Sequence, residues 1–267
     1  MSSEDQKHSS IEQEKLSRRN VLGSYIMPHR AIHHFSFPRT RLLEMMLLPL
    51  IFTLAAFPVL EILVAGWMAL FEFWLDKLEI TANVSMKLYE LLGVEVMLPH
   101  LVVPTGIPEQ ETFQLVVVNT SIALLASLIL PERMLPLKYI IRVLVFIQAT
   151  ALLYFAYLPG QFPYTLTSHL ENMMIACVYL MLIVPWIHVV VYYIFDFSFL
   201  NKALLTFYTL LFLAVFLPFL LLMHTYLVVH FSLLVLPVLY FVFGLFLLIM
   251  TCIAFYGWAM SWKRLEY

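Results

Sequence analysis

The chain alternates long, nearly unbroken apolar stretches with short polar breaks, and the stretches have the length of membrane spans rather than of soluble helices. About 20 consecutive apolar residues cross a bilayer core as a helix. On that measure the first span falls within Leu43–Trp74, and the second covers about 113–130 and ends at Pro131. The third covers about 136–158 and ends at Pro159 and Gly160, and the fourth covers about 170–195. The fifth (about 203–223) and sixth (about 231–258) are expected to join through the short HTYLVVH segment. The pattern therefore predicts an all-α, polytopic integral membrane bundle of six helices occupying residues 43–262.

Polar segments frame the bundle. Residues 1–28 are Ser, Gln, Glu, Lys and Arg with almost nothing to bury, so disorder is expected there. Residues 29–42 mix His, Arg and aromatics, which suits a segment lying on a lipid surface, and residues 263–267 form a short basic end. The first apolar run is too long for a cleaved signal sequence and is expected to remain as an anchor. Residues 75–112 are the longest polar stretch between spans. In ITANVSMKLYELLG the apolar Ile80, Val84, Leu88 and Leu91 recur at helical spacing, which predicts an amphipathic helix on the membrane. GVEVMLPHLVVPTG follows, rich in β-type residues and broken by Pro99, Pro104 and Gly106, and predicts a short hairpin or extended segment. No internal repeat is visible.

Lys and Arg positions set the expected orientation. Lys7, Lys15, Arg18, Arg19, Arg30, Arg39 and Arg41 precede span one; Arg133, Lys138 and Arg142 lie around the second loop, Lys202 in the fourth, and Lys263 and Arg264 at the end. Six spans put all of these on one side and leave only Lys77 and Lys87 opposite. Both termini are thus expected in the cytoplasm, with residues 75–112 outside.

Composition narrows the function classes. With 63% hydrophobic and 12% charged residues and a mean hydropathy of +0.91, most of the surface must face lipid. A formal net charge of −2 without a basic domain gives no reason to expect nucleic acid. Cys177 and Cys252 both lie in apolar runs and read as small buried hydrophobes rather than a disulfide or redox pair. No GxSxG elbow, P-loop or GxGxxG occurs. Few intramembrane charges, no repeat and only seven glycines argue against a transporter.

Two sets of polar residues remain. Glu61 in span one and His188 in span four sit at membrane depth, where an ionisable group costs a few kcal/mol and is expected to face the bundle interior and bond a neighbour, each being a candidate partner for the other. His169 at the start of span four, His224 and His230 around the predicted five/six turn, and His100 in the outer segment should all lie near one membrane face. Four imidazoles at one level offer a metal or haem site, although no spacing signature supports it. His29, His33 and His34 are better placed for lipid headgroups. No resident cofactor is expected on these grounds.

One stretch carries a family resemblance. MKLYELLGVEVMLPHLVVPTGIPEQETFQLVVVNTSIALLASLIL resembles the core of the exosortase/archaeosortase transmembrane transpeptidases over about residues 79–195. Leu91, Leu92, Gly93 and Val94 match the family's opening, and Phe113 matches the aromatic before its catalytic cysteine. At the family's Cys-Ser-Gly place stand Asn119, Thr120 and Ser121, then Ile122; His169 fits the histidine that opens a later span. No Lys or Arg lies between Arg142 and His169, so the family's arginine is missing as well as its cysteine. Without a thiolate or an oxyanion-stabilising cation, the family's transfer reaction is not expected. The resemblance implies a non-catalytic, exosortase-like subunit of the inner membrane of a prokaryote, holding partner transmembrane helices or scaffolding an envelope assembly. A redox or metal protein using His100, His169, His224 and His230 is one alternative. A hydrolase with Thr120 or Ser121 as nucleophile and His169 as base is another.

Overall fold

The computed structural model describes residues 39–194 and 198–260. The expected disordered and interfacial segments of the N-terminal tail, with His29, His33 and His34, and the basic C-terminal end fall outside the described residues. Six helical segments are long and apolar enough to cross a membrane, so the chain is an all-α polytopic bundle. In chain order the elements are α1 (Arg39–Lys77), β1 (Asn83–Leu91), β2 (Val94–Val102), α2 (Gln110–Ile129), α3 (Leu135–Tyr157), α4 (Leu166–Ile194), α5 (Phe199–Phe231), α6 (Leu236–Phe241) and α7 (Leu245–Met260). The β pair sits between α1 and α2 and marks one end of the bundle, called here the hairpin end.

The amphipathic helix expected over ITANVSMKLYELLG is instead strand β1, paired antiparallel with β2 from Asn83↔Val102 to Leu91↔Val94. The local turn explains the difference. Leu92 and Gly93 connect the strands with φ of 55° and 80°, the two positive values that a tight two-residue hairpin turn needs. Gly93 adopts that conformation without strain, and the chain then folds back so that alternate residues of β1 exchange backbone hydrogen bonds with β2. GVEVMLPHLVVPTG is therefore the extended segment of the two forms expected for it, strand β2, and the hairpin it belongs to takes the preceding segment as its other strand.

Helices α4 and α5 form the centre. Leu166, Leu170, Met174 and Cys177 on α4 pack with Leu213, Leu217, Leu220 and Leu221 on α5, all essentially without exposure. Cys177 is thus the buried hydrophobe expected, and Cys252 is half-buried; both are free thiols. Helix α1 lays a stripe of Leu60, Val64, Trp67, Phe71 and Leu75 against this centre, spaced at three and four residues as one helix face requires. Trp67 Nε1 donates to the Ala214 carbonyl at 2.8 Å. That carbonyl lacks its ordinary helical donor, because the residue four positions on is Pro218, which has no N–H. A neighbouring span thus supplies the missing hydrogen bond, the general way a proline is accommodated inside a membrane helix. Trp186 Nε1 reaches Thr53 Oγ1 at 3.0 Å and ties α4 to α1.

The last two spans differ from the sequence reading. HTYLVVH is not a linker: α5 runs on through it to Phe231, and the chain reverses at Ser232, whose φ is 64°. His224 and His230 are therefore both on α5 rather than on either side of a turn. Lys202, expected in a loop, lies in the first turn of α5 and is buried. The final span is not one helix. It opens as a 3-10 turn (Leu233–Val235), continues as α6, breaks over 242–244 and resumes as α7. Gln148 on α3 donates to the Leu234 carbonyl at 3.0 Å and fastens this opening turn.

Candidate functional site

At the hairpin end, α4 presents two polar clusters built on its first turns. His169 is buried against α5, where its Nε2 lies 2.9 Å from His224 Nδ1 and the two rings stack with centroids 5.1 Å apart. His224 Nε2 lies 3.2 Å from the Phe243 carbonyl oxygen. A carbonyl only accepts, so His224 donates through Nε2 and its Nδ1 is the acceptor; His169 must then donate through Nε2. The result is a directed chain from His169 through His224 to the break between α6 and α7. It leaves His169 Nδ1 with a lone pair. The Tyr240 ring stands 5.9 Å from the His169 ring.

The second cluster joins α4 to the hairpin. Residues paired across the strands share a face, which places Lys87, Tyr89 and His100 together on the side toward α4. Glu171 receives them. The Lys87 ammonium forms an ion pair with its carboxylate, and His100 Nδ1 lies 3.6 Å from Glu171 Oε2. Tyr89 Oη is 3.5 Å from His100 Nδ1. Burial first, and then the neighbouring Glu171, hold the Tyr89 phenol above its ordinary range, so it stays protonated and donates. Val103 N donates to Thr167 Oγ1 at 3.1 Å and completes the attachment.

The four histidines expected at one level are not assembled. His169 and His224 meet, whereas His100 belongs to the Glu171 cluster and His230 is exposed, bonded to the Tyr226 carbonyl of its own helix. Among the described residues no three His, Cys, Asp or Glu side chains come together as a metal-holding group. In the His169–His224 pair the lone pair of His224 is already taken by His169 and only that of His169 remains, one donor where a structural zinc takes four.

The nucleophile candidates lie elsewhere. Thr120 Oγ1 donates to the Val116 carbonyl at 2.7 Å and Ser121 Oγ to the Val117 carbonyl at 2.8 Å, both within α2. Neither is joined to His169, so the Ser/Thr–His arrangement needed for a hydroxyl nucleophile is not formed. Asn119 and Ser121 are exposed on α2, while Phe113, Val116, Thr120, Ala123 and Ser127 form the stripe turned toward the bundle.

Glu61 and His188 do not pair. His188 is buried and its Nδ1 contacts Thr206 Oγ1 at 3.1 Å, the Thr206 hydroxyl itself donating to the Lys202 carbonyl. Glu61 is exposed on α1 and makes no hydrogen bond or ion pair among the described residues. Sequence reasoning missed the Glu171 cluster, because its members become neighbours only through a hairpin whose first strand the apolar spacing predicts as a helix.

The relay gives a direct test. Replacing His224 with leucine leaves the His169 N–H and the Phe243 carbonyl without their partner. A loss of about 1–3 kcal/mol is expected, read as a lower melting temperature in detergent. An unchanged melting temperature would show that the pair carries no structural load.

Comparison with known proteins identifies no relative: no family model, no curated protein and no solved structure matches this chain.

Proposed function

We propose that this chain is a non-catalytic integral membrane subunit that binds a partner transmembrane helix, chiefly along the outward face of α2. One observation carries the reading: Asn119, near the middle of a 20-residue span, turns its carboxamide away from the bundle and has no hydrogen-bond partner among the described residues. An amide left unsatisfied in hydrocarbon is costly, and another helix is the usual way of covering it. The rest of α2 agrees. Only Val116 and Ser127 are buried, and the exposed Ser121 and Ala126 lie among apolar side chains that suit a second helix.

The exosortase-like layout supports the same conclusion from another direction. Of the residues at the family's Cys-Ser-Gly place, Asn119 and Ser121 are on the free face of α2, and the Thr120 and Ser121 hydroxyls are committed to backbone carbonyls. A groove that admits a substrate's hydrophobic tail in such an enzyme would hold a permanent partner here. The Lys and Arg distribution favours cytoplasmic termini and an external hairpin in a prokaryotic inner membrane, with an envelope assembly as the setting.

Purification from the native membrane in mild detergent, with mass spectrometry and a metal and visible-light scan, tests this reading. A stoichiometric membrane partner is expected, and Asn119→Leu should lower its retention roughly three- to twentyfold, the range of single interhelical hydrogen bonds. A lone protein carrying haem or metal would overturn it.

A further inference from the structure

Beside its buried stripe, helix α1 has an exposed one, and it carries a charge. Leu54, Pro58, Glu61, Ala65, Ala69 and Glu72 recur at spacings of three and four residues, all exposed. At 100° per residue they lie about a third of a turn from the buried stripe that faces the bundle. Glu61 stands eleven residues from Glu72, and Glu72 lies close to the hairpin end, where α1 closes with Lys77. Eleven residues of helix span about 16 Å, half of a hydrocarbon core of about 30 Å. The carboxylate therefore sits at mid-bilayer depth.

Three features of this stripe point to its occupant. Glu61 has no partner within the described chain, and its charge at that depth costs a few kcal/mol unless something neutralises it. The side chains next to it toward the hairpin end, Ala65 and Ala69, form a small-xxx-small pair that lets a second backbone approach closely. A Cβ added at Gly66, next to Ala65 in sequence, would meet no atom within 4 Å, so nothing among the described residues fills the space on that side of α1. A cation at the same depth is the complement that satisfies the carboxylate, and a partner transmembrane helix is an element that can carry one there.

We propose that the Glu61 stripe of α1 receives one partner transmembrane helix bearing a single lysine or arginine at mid-bilayer depth. This deepens the reading above, on which it rests, by naming the chemistry of a partner and placing it on α1 rather than on α2.

The test uses the full chain in phosphatidylcholine vesicles with a donor dye at its N-terminus. Two acceptor-labelled Leu/Ala helices of about 25 residues, long enough to span, serve as probes. One carries a central lysine and the other a leucine. Energy transfer should show the lysine helix binding about tenfold more tightly, and Glu61→Gln should abolish most of that preference. Glu61→Lys should reverse it toward a helix with a central glutamate, which separates charge pairing from a folding defect. Equal binding of the lysine and leucine probes, or a preference that survives Glu61→Gln, overturns the proposal. So does self-association of the chain that depends on Glu61, because the stripe would then be covered by a second copy. If Asn119→Leu alone removes the lysine helix, the partner-binding reading stands and the Glu61 assignment falls.

Discussion

Replacing Trp67 with alanine should destabilise the bundle by about 3–5 kcal/mol, the cost of emptying a large buried aromatic site. Trp67 is 3% exposed and joins α1 to α5 at the position where Pro218 has removed a helical donor. Two losses therefore coincide: packing, and the side-chain donor to a buried carbonyl. Trp67→Phe separates them, keeping most of the ring but leaving the Ala214 oxygen unsatisfied, at about 1–3 kcal/mol. Pro218→Ala restores the N–H at its source. In that background Trp67→Phe should cost measurably less, a coupling that a double-mutant cycle of melting temperatures in detergent reads directly. Additive effects would show that the indole contributes only by filling space.

Gly244→Val is expected to lose most folded protein, judged by the monodisperse fraction on size exclusion. A Cβ at this position would lie 2.5 Å from the Tyr240 carbonyl oxygen, 3.2 Å from that of Leu239 and 3.3 Å from Met173 Sδ. Two of those three atoms are backbone and cannot swing aside, so the turn between α6 and α7 must open. Opening it also moves the Phe243 carbonyl away from His224, and the cost should reach about 4 kcal/mol or more, the range reserved for named structural lesions. Gly257 is the control. A Cβ there meets nothing within 4 Å, and Gly257→Ala in the body of α7 should be neutral or stabilising by about 0.5–1 kcal/mol. A similar outcome at both positions would mean that the junction tolerates repacking.

The spans were legible because their signal is bulk hydropathy, which needs no tertiary information: span two, for instance, ends as helix at Ile129, beside the proline expected to stop it. Where the sequence misled, a local device outweighed a pattern. Ile80, Val84, Leu88 and Leu91 fit a helix by spacing, yet the Leu92-Gly93 turn imposed strand pairing. His224 and Thr225 looked like the start of a loop, but both are buried in a helix that polar residues do not interrupt when their groups find partners, the Thr225 hydroxyl bonding the Leu221 carbonyl. The candidate site was legible only residue by residue. His169 and His224 were both named from depth, but their contact depends on how α4 and α5 are rotated against each other. Depth says nothing about rotation, which is also why Glu61 and His188 were expected to face the same interior and do not.

The two helices tied by Trp67 and Ala214 also set the molecule's relation to the thickness of its membrane. Their apolar segments are 33 residues each, about 50 Å at the helical rise, whereas α2 has 20 residues and about 30 Å. A 30 Å hydrocarbon layer fits α2 upright, but α1 and α5 would have to lean beyond the usual range of tilts or let their ends emerge. Because the indole bond couples them, they lean as a pair. The lipid boundary is therefore uneven around the protein, matched on one flank and over-spanned on the other, and a thicker bilayer favours the upright pair while stretching the α2 flank.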